Sequence, residues 1–175
     1  MNLNKKNLIS MLKECKAIQF GQFVLTSGAV SNYYIDIKKA STNPKILKFI
    51  AESIAPYTTN YDIIAGVELG AVPIVVAVSL ATNKPYVIIR KEKKEHGTGR
   101  LIEGPSVSNK KVLLVEDVTT TGGSVARAVN LLRQNGAIID KVVVVVDRLS
   151  GARERLKEIK VDLVPLVDVD DVLKK

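Results

Sequence analysis

The chain has 175 residues, of which 46% are hydrophobic, and a formal net charge of +8 at pH 7. This length suits one domain with a sizeable core, and the hydrophobic content excludes an intrinsically disordered chain. Because the sequence holds one cysteine, Cys15, and one histidine, His96, neither an internal disulfide nor a Cys/His zinc site can form.

The excess of positive charge predicts an anionic partner, either a nucleic acid or a multiply phosphorylated small molecule. The sequence has no Trp and 5% aromatic residues, which gives little surface for stacking against single-stranded nucleic acid. The N-terminal segment MNLNKKNLISMLKE lacks the apolar stretch of a secretory signal. The longest apolar stretch, residues 63–81, contains a glutamate, two glycines and a proline, so it predicts strand, loop and helix rather than a membrane span. We therefore expect a soluble, cytoplasmic protein that contacts no membrane.

The first forty residues predict one helix and two short strands. Leu8, Leu12 and Cys15 share one face of a helix over residues 3–15. Residues 18–24 and 33–37 are rich in strand formers and are separated by turn residues. We expect residues 1–40 to form a small cap over an α/β core, residues 41–175, within a single domain that spans residues 1–175.

After residue 43 the pattern alternates between helix and strand. Asn43 and Pro44 predict the start of a helix that ends near Pro56. The five consecutive valines of residues 142–146 are typical of a parallel strand buried on both faces. The expected fold is an α/β doubly wound, mostly parallel sheet with helices on both faces. Its strands are predicted at residues 62–65, 86–89, 111–115, 142–146 and 163–167, and its further helices at residues 71–81 and 122–134 and before the last strand.

Ligands of a doubly wound sheet bind at the carboxyl ends of the strands. The predicted loops at this edge are residues 66–70, 90–104, 116–123 and 147–151. These loops also have unusual polar content, so the sequence places a binding site at this edge.

The segment VLLVEDVTTTGGS, residues 112–124, predicts a sugar-phosphate site. A glycine turn before a helix presents free backbone N–H groups to an anion, and threonine hydroxyls add donors. The carboxylates of Glu116 and Asp117 suit a partner that carries hydroxyl groups or a divalent metal. Neither GxxxxGK[ST] nor GxGxxG occurs in the chain, which excludes the two common nucleotide loops.

The same segment resembles the phosphoribosyl pyrophosphate (PRPP) motif of the type I phosphoribosyltransferases. RKEKKEHG, residues 90–97, is similar to the mobile catalytic loop of the orotate phosphoribosyltransferase family, whose pattern is RK-x-x-K-x-HG. Three further segments resemble that family's N-terminal substrate-facing segment, pyrophosphate loop and orotate-binding strand end, which are FVLTSGAVSNYY (23–34), GVELGAVP (66–73) and VDRL (146–149). The resemblance spans residues 18–155 in the family's order.

This resemblance implies an enzyme of pyrimidine (UMP) biosynthesis that binds PRPP and orotate. The reaction transfers the 5-phosphoribosyl group of PRPP to orotate and gives orotidine 5′-monophosphate and pyrophosphate, with Mg²⁺ as cofactor. The resemblance also implies a homodimer in which the loop of residues 90–104 reaches into the neighbour's site. No nucleic acid or membrane partner is expected.

The resemblance also implies roles for single residues. Lys94, His96 and Asp117 would be catalytic, and Glu116 and Asp117 would hold the ribose hydroxyls and could contact Mg²⁺. Arg148 would pair with the orotate carboxylate, since a planar guanidinium suits a carboxylate, and Thr120 would lie near the base. The residues implied in PRPP binding are Arg90, Lys91, Lys94, His96, Glu116, Asp117, Val118, Thr119, Thr120, Thr121, Gly122, Gly123 and Ser124.

The sequence departs from the family pattern at two positions. Bacterial members often carry a lysine in the segment that corresponds to residues 25–27, where this chain has Thr26. They often carry another in the pyrophosphate loop, where this chain reads Leu69-Gly70-Ala71. Without these two cations, the site is expected to rely more on backbone N–H groups, magnesium and the mobile loop.

Two other functions fit part of the sequence. A purine or other pyrimidine phosphoribosyltransferase would share the PRPP motif, but Arg148 and the RKxxKxHG-like loop favour orotate. A non-catalytic PRPP-sensing regulator would bind RNA or DNA through its basic surface, but this chain retains Lys94 and His96, and we expect no added DNA-binding domain. Salt-dependent nucleic-acid binding without turnover would favour the regulator.

Overall fold

A computed structural model of the chain describes residues 3–24, 30–92 and 100–173, with only the backbone at residue 3. The first elements, in chain order, are helix α1 (Leu3–Glu14), strands β1 (Ile18–Val24) and β2 (Val30–Ile35), helices α2 (Ile37–Ser41) and α3 (Pro44–Ile54), and a 3₁₀ turn (Ala55–Thr58). The others are β3 (Ile63–Val67), α4 (Val72–Thr82), β4 (Tyr86–Ile89), β5 (Ile102–Glu103), β6 (Val112–Thr119), α5 (Gly123–Gln134), β7 (Lys141–Asp147), α6 (Ala152–Glu158), β8 (Asp162–Asp168) and α7 (Val169–Leu173).

Six strands form the central sheet in the order β5-β4-β3-β6-β7-β8. All pairs are parallel except β4 with β5, which is antiparallel at the edge of the sheet. Strands β1 and β2 pair antiparallel as a separate two-stranded sheet. The expected doubly wound, mostly parallel fold is confirmed.

The central strands are buried on both faces, because consecutive side chains enter two different cores. Leu113 and Val115 of β6 pack in a core with residues of α1, α3 and α4. Val112 and Leu114 pack in the second core with residues of α5 and α6. The five valines 142–146 of β7 are fully buried, as their unbroken apolar run predicts. No helix in the described parts of the chain is long and apolar enough to cross a membrane.

Helix α3 begins where the sequence predicts it. The Asn43 side-chain oxygen accepts hydrogen bonds from the backbone N–H groups of Lys45 (3.0 Å) and Ile46 (3.3 Å), and Pro44 occupies the first helical position. The helix ends at Ile54, and the 3₁₀ turn then carries the chain past Pro56.

The structure differs from the predicted elements in several places: α2 and α7 are not among the predicted elements, and β2 begins at Val30 rather than at residue 33. The second strand ends at Ile35, not at residue 37, because the Asp36 side chain accepts a hydrogen bond from the Lys38 N–H and caps α2. Strand β6 runs to Thr119 instead of ending at residue 115, because its pairing with β7 continues to Asp147. The predicted loop of residues 90–104 is shorter, because its residues 102–103 form β5 and pair with β4.

Burial on both faces of the sheet has a measurable consequence. Leu113 and Leu114 are neighbours in β6 that enter opposite cores, and both are fully buried. Leu113→Ala and Leu114→Ala should each lower the free energy of unfolding by about 2–5 kcal/mol, because each leaves a core cavity. Leu80→Ala is the matched control, because Leu80 is 82% exposed, and it should change stability by less than about 0.5 kcal/mol. Urea unfolding measures the free energy of unfolding of all three variants. A small decrease for either Leu113→Ala or Leu114→Ala would mean that one face of the sheet is open to solvent.

Candidate active site

The carboxyl ends of β3, β4, β6 and β7 lie at one edge of the sheet, and the loops that follow them are tied together by backbone hydrogen bonds. The Glu68 N–H donates to the Ile89 carbonyl (2.8 Å), which links the loop after β3 to the end of β4. The Arg148 N–H donates to the Thr119 carbonyl (3.0 Å), which links the loop after β7 to the end of β6. The predicted loops therefore meet at one place.

Glu116 and Asp117 lie within β6, not in the loop where the sequence places them. Glu116 is buried with 5% of its surface exposed, whereas Asp117 is half-buried. The Asp117 N–H donates to Oε1 of Glu116 (3.1 Å). Burial, together with the neighbouring Asp117 carboxyl, raises the pKa of Glu116 well above its ordinary value, and the charge of Lys91 opposes this shift only in part. Asp117 is therefore the more accessible of the two carboxyl groups.

Gly70, in the loop after β3, is packed directly against Asp117. A β-carbon on Gly70 would overlap the position of the Asp117 carboxylate. A side chain at residue 70 would therefore require the Asp117 carboxylate to move from its present position.

Lys38 on α2 is a site residue that the sequence analysis missed. Its ammonium group lies 2.9 Å from Oδ1 of Asp36. The hydrogen bond with Asp36 raises the pKa of Lys38, burial opposes this, and the charge of Asp117 raises the pKa further. Lys38 thus places a cation within electrostatic reach of Asp117. Only the tertiary fold reveals it, because α2 meets β6 through a contact that has no local sequence signal.

The turn between β6 and α5 has the shape that its glycines predict. Gly122 has a φ of +71°, and a β-carbon there would lie 3.0 Å from the Ala152 Cα, so only glycine fits. Thr120 and Thr121 are exposed, and Gly123 and Ser124 begin α5 half-buried. The hydroxyls and the first helical N–H groups therefore lie where an anion could contact them, and the anion cradle stays a prediction.

Two residues of the PRPP motif are less accessible than the sequence analysis expected. Thr119 is 2% exposed, and its hydroxyl donates to Oδ1 of Asp147 (3.0 Å). This hydroxyl is used inside the protein, so Thr119 holds β6 to β7 instead of facing a phosphate. Val118 is half-buried in β6.

Asp147 is a second residue that the sequence analysis missed. It is 1% exposed at the end of β7, and Oδ1 also accepts the Leu149 N–H (3.1 Å). Its Oδ2 has no hydrogen-bond partner within the described part of the chain. The sequence does carry a signal, because this acidic residue directly follows the run of valines in β7.

Arg148 lies beside the hairpin of β1 and β2. Its guanidinium carbon is 5.0 Å from the centroid of the Tyr33 ring, within cation–π distance. The buried Nε of Arg148 has no hydrogen-bond partner among the residues described here. The hairpin therefore brings an aromatic ring to the strand end where the sequence predicts a carboxylate-binding arginine.

The residues after β4 bring positive charge to the same edge. The Lys91 N–H donates to Oε1 of Glu68 (2.8 Å), and the Arg90 guanidinium lies 3.9 Å from Oε1 of Glu103. Arg90 and Lys91 line a cleft of about 430 Å³ together with Ser124 and Arg127. Three residues of the sequence prediction, Lys94, His96 and Thr26, lie outside the described residues, so their roles stay predictions.

Comparison with known proteins agrees with this geometry. The phosphoribosyl transferase domain family matches residues 36–172. The chain is 56% identical over 169 residues to the orotate phosphoribosyltransferase of Methanocaldococcus jannaschii, and the match covers 96% of each chain.

Solved structures of one orotate phosphoribosyltransferase match nearly the whole chain. The Mycobacterium tuberculosis enzyme in complex with Fe(III) dicitrate has a TM-score of 0.85 at 30% identity, covering 98% of this chain and 99% of that one. The same enzyme in complex with PRPP has a TM-score of 0.80 at 27% identity, covering 97% and 98%.

The raised pKa of Glu116 predicts a pH-dependent stability. In the folded protein the Glu116 carboxyl keeps a proton that the unfolded chain releases above the ordinary glutamate pKa, so this group makes the protein less stable as pH rises. Glu116→Gln cannot ionise, so its stability relative to the unmodified protein should increase as pH rises above the ordinary glutamate pKa and level off once pH exceeds the raised pKa of the folded state. Urea unfolding at several pH values measures this difference. Glu158→Gln, at an exposed position of α6, should follow the unmodified protein. A difference for Glu116→Gln that does not change with pH would contradict the account.

Proposed function

The chain belongs to the orotate phosphoribosyltransferases of the phosphoribosyl transferase domain family, and from that premise we propose how its residues divide the work of the reaction. The enzyme transfers the 5-phosphoribosyl group of PRPP to orotate and releases pyrophosphate, a step of pyrimidine biosynthesis. The observation that carries the assignment of roles is the register between β6 and β7, in which Thr119 lies opposite Asp147. This register sets the phosphate turn beside the strand end that bears Arg148.

The ribose 5-phosphate part of PRPP is bound by the end of β6 and the start of α5. The 5′-phosphate accepts hydrogen bonds from backbone N–H groups of residues 121–124 and from the hydroxyls of Thr120, Thr121 and Ser124. Asp117 accepts hydrogen bonds from the ribose hydroxyls, since it is the more accessible acid of the pair. Glu116, which burial favours in its neutral form, supports Asp117 through the Asp117 N–H.

Orotate is bound by Arg148. Its guanidinium donates to the orotate carboxylate, and the cation–π contact with Tyr33 holds its plane in one orientation before the ligand arrives. This preorganised fork distinguishes orotate from bases that carry no carboxylate.

The chemical step separates charge, and positive side chains stabilise it. As the bond to the anomeric carbon breaks, positive charge develops on the ribose and negative charge on the leaving diphosphate oxygens. Lys91, with Lys94 and His96 of the loop that follows it, stabilises the leaving diphosphate electrostatically. The Asp117 carboxylate lies on the ribose side and favours the cationic sugar. Closure of the loop excludes water, which competes with orotate for the activated ribose.

Mg²⁺ is proposed as the cofactor, held mainly through PRPP. Within the described residues no group of three or more Asp, Glu, His or Cys side chains could hold a metal on its own. The half-buried Asp117 fits a cation that a substrate already carries, whereas the buried Glu116 is less accessible to it. When bound, Mg²⁺ neutralises diphosphate oxygens.

The predicted homodimer also belongs to this proposal. Strand β5 pairs with β4 and so closes the base of the segment that leaves the sheet at Arg90 and returns at Leu101, where the Arg90 N–H donates to the Leu101 carbonyl (2.9 Å). This base stands at the edge of the site, and we propose that the segment serves the site of a second copy. The cytoplasmic location expected from the sequence stays a prediction.

Turnover of PRPP with Mg²⁺ and a panel of bases tests the function, and the Arg148→Ala variant tests its specificity. The unmodified protein should consume orotate and none of the bases that lack a carboxylate. Arg148→Ala should lower kcat/KM for orotate by an amount worth about 2–4 kcal/mol, because a charge-assisted hydrogen-bonded pair is lost. The KM for PRPP should stay within a few-fold, and Arg148→Lys should retain part of the orotate binding because it keeps the charge. Unchanged orotate kinetics in Arg148→Ala would remove this residue from the site.

Subunit mixing tests the shared site. Lys94→Ala and Asp117→Asn should each be nearly inactive as pure dimers. If the loop serves the neighbour, exchange produces mixed dimers in which one site carries both lesions and the other carries neither. Random exchange of equal amounts makes about half of all dimers mixed, so about a quarter of the unmodified activity should return. No recovery, with exchange confirmed by mass spectrometry, would contradict the shared site.

A further inference from the structure

Two arginines converge on the turn that begins α5. The point where a β-carbon would stand on Gly123 lies 3.1 Å from Nη1 of Arg155, which belongs to α6, and 3.7 Å from Nη1 of Arg127, which belongs to α5. The Thr121 hydroxyl lies 3.8 Å from the same point. Two guanidinium groups and a hydroxyl therefore surround one position at the start of the helix. We call Arg127 and Arg155 the arginine bracket.

The arginine bracket brings two positive charges to the start of a helix, where an anion is the favourable neighbour. A helix N-terminus carries partial positive charge, and acidic side chains are its favourable neighbours. Helix α5 has no acidic residue in its first turn. Within the described parts of the chain, neither Arg127 nor Arg155 forms an ion pair or a side-chain hydrogen bond. The positive charge that these elements bring together is therefore not neutralised by the protein itself.

Arg133, in the last turn of α5, has a structural role that the two arginines of the bracket do not share. Its guanidinium donates to the carbonyls of Ile159 (2.9 Å) and Ile139 (2.8 Å), so it joins α5 to the neighbouring loops. The two arginines of the bracket make no such contacts among the described residues. They are available to a ligand.

We propose that Arg155 and Arg127 bind the 5′-phosphate of PRPP and of the nucleotide product, in addition to the N–H groups of the turn. This inference rests on the proposed function, which places the 5′-phosphate at residues 120–124. A phosphate monoester carries about −1.5 to −2 charge at neutral pH, which two guanidinium groups match. The planar donor fork of arginine also fits the phosphate oxygens in pairs.

The bracket gives the site a preference for ligands that carry a 5′-phosphate. Arg155 lies at the phosphate end of PRPP, whereas Arg127 also lines the cleft that holds Arg90 and Lys91 of the diphosphate end. Loss of Arg155 should therefore weaken the binding of PRPP and of ribose 5-phosphate, and leave the binding of pyrophosphate and orotate nearly unaffected. A general loss of positive charge would instead weaken the binding of every anion to the same extent.

Arg155→Ala and Arg127→Ala test the proposal, with Arg153→Ala as the matched control. Arg153 is an exposed arginine of the same helix as Arg155 and has no part in the turn. Steady-state kinetics gives the KM for PRPP and for orotate, and competition assays give the inhibition constants of ribose 5-phosphate and pyrophosphate. Each bracket variant should raise the KM for PRPP and the inhibition constant of ribose 5-phosphate on the order of tenfold. This is the effect of losing one charge-assisted hydrogen bond. Arg153→Ala should change them less than about twofold.

Two results would overturn the bracket. One is a PRPP KM in both bracket variants that equals that of Arg153→Ala. The other is a loss of pyrophosphate binding in Arg155→Ala that is as large as its loss of ribose 5-phosphate binding. Because all three side chains are exposed, thermal unfolding should confirm that each variant is folded. Calorimetric titration of ribose 5-phosphate into the same variants tests the bracket even if the unmodified protein did not turn over orotate, so failure of the bracket and failure of the proposed function are distinguishable.

Discussion

The site depends on the hydrogen-bonded pairing of β6 with β7 up to the last residue of each strand. Thr119 lies opposite Asp147, its hydroxyl donates to the Asp147 carboxylate, and its carbonyl accepts the Arg148 N–H. Polar groups this deeply buried are costly to leave unpaired, so the fold fixes these partners firmly. Because the turn of residues 120–124 starts one residue after Thr119 and Arg148 follows Asp147, this pairing sets the distance between the turn and Arg148.

Charge is distributed in this site so that a polyanion can enter it. The chain carries a net charge of +8, and Lys38, Arg90, Lys91, Arg127, Arg148 and Arg155 bring cations to one edge of the sheet. Two adjacent carboxylates would repel PRPP if both were ionised. Burial raises the pKa of Glu116 and so favours its neutral form, which reduces this repulsion. Lys38 further offsets the charge of Asp117 from the side of α2.

Much of the fold and part of the site could be predicted because their signals are local in the sequence. The valines of β7, the Asn43 cap of α3 and the glycine turn at Gly122 follow from the preferences of their own residues. The end of β6 could not be predicted, since only the pairing with β7 extends that strand through two acidic residues. Tyr33 acquires its role from Arg148, which is distant in the sequence. Lys38 and Gly70 both acquire theirs from Asp117. Contacts of this kind exist only once the chain is folded.

The central claim is that the ends of β6 and β7 hold the two halves of one nucleotide. A crystal structure of the protein with orotidine 5′-monophosphate tests this claim most directly. The account predicts the phosphate on the turn of residues 120–124 between the guanidinium groups of Arg127 and Arg155, the ribose hydroxyls on Asp117, and the base carboxylate on Arg148. A nucleotide bound with its carboxylate away from Arg148, or with its phosphate away from the start of α5, would contradict it.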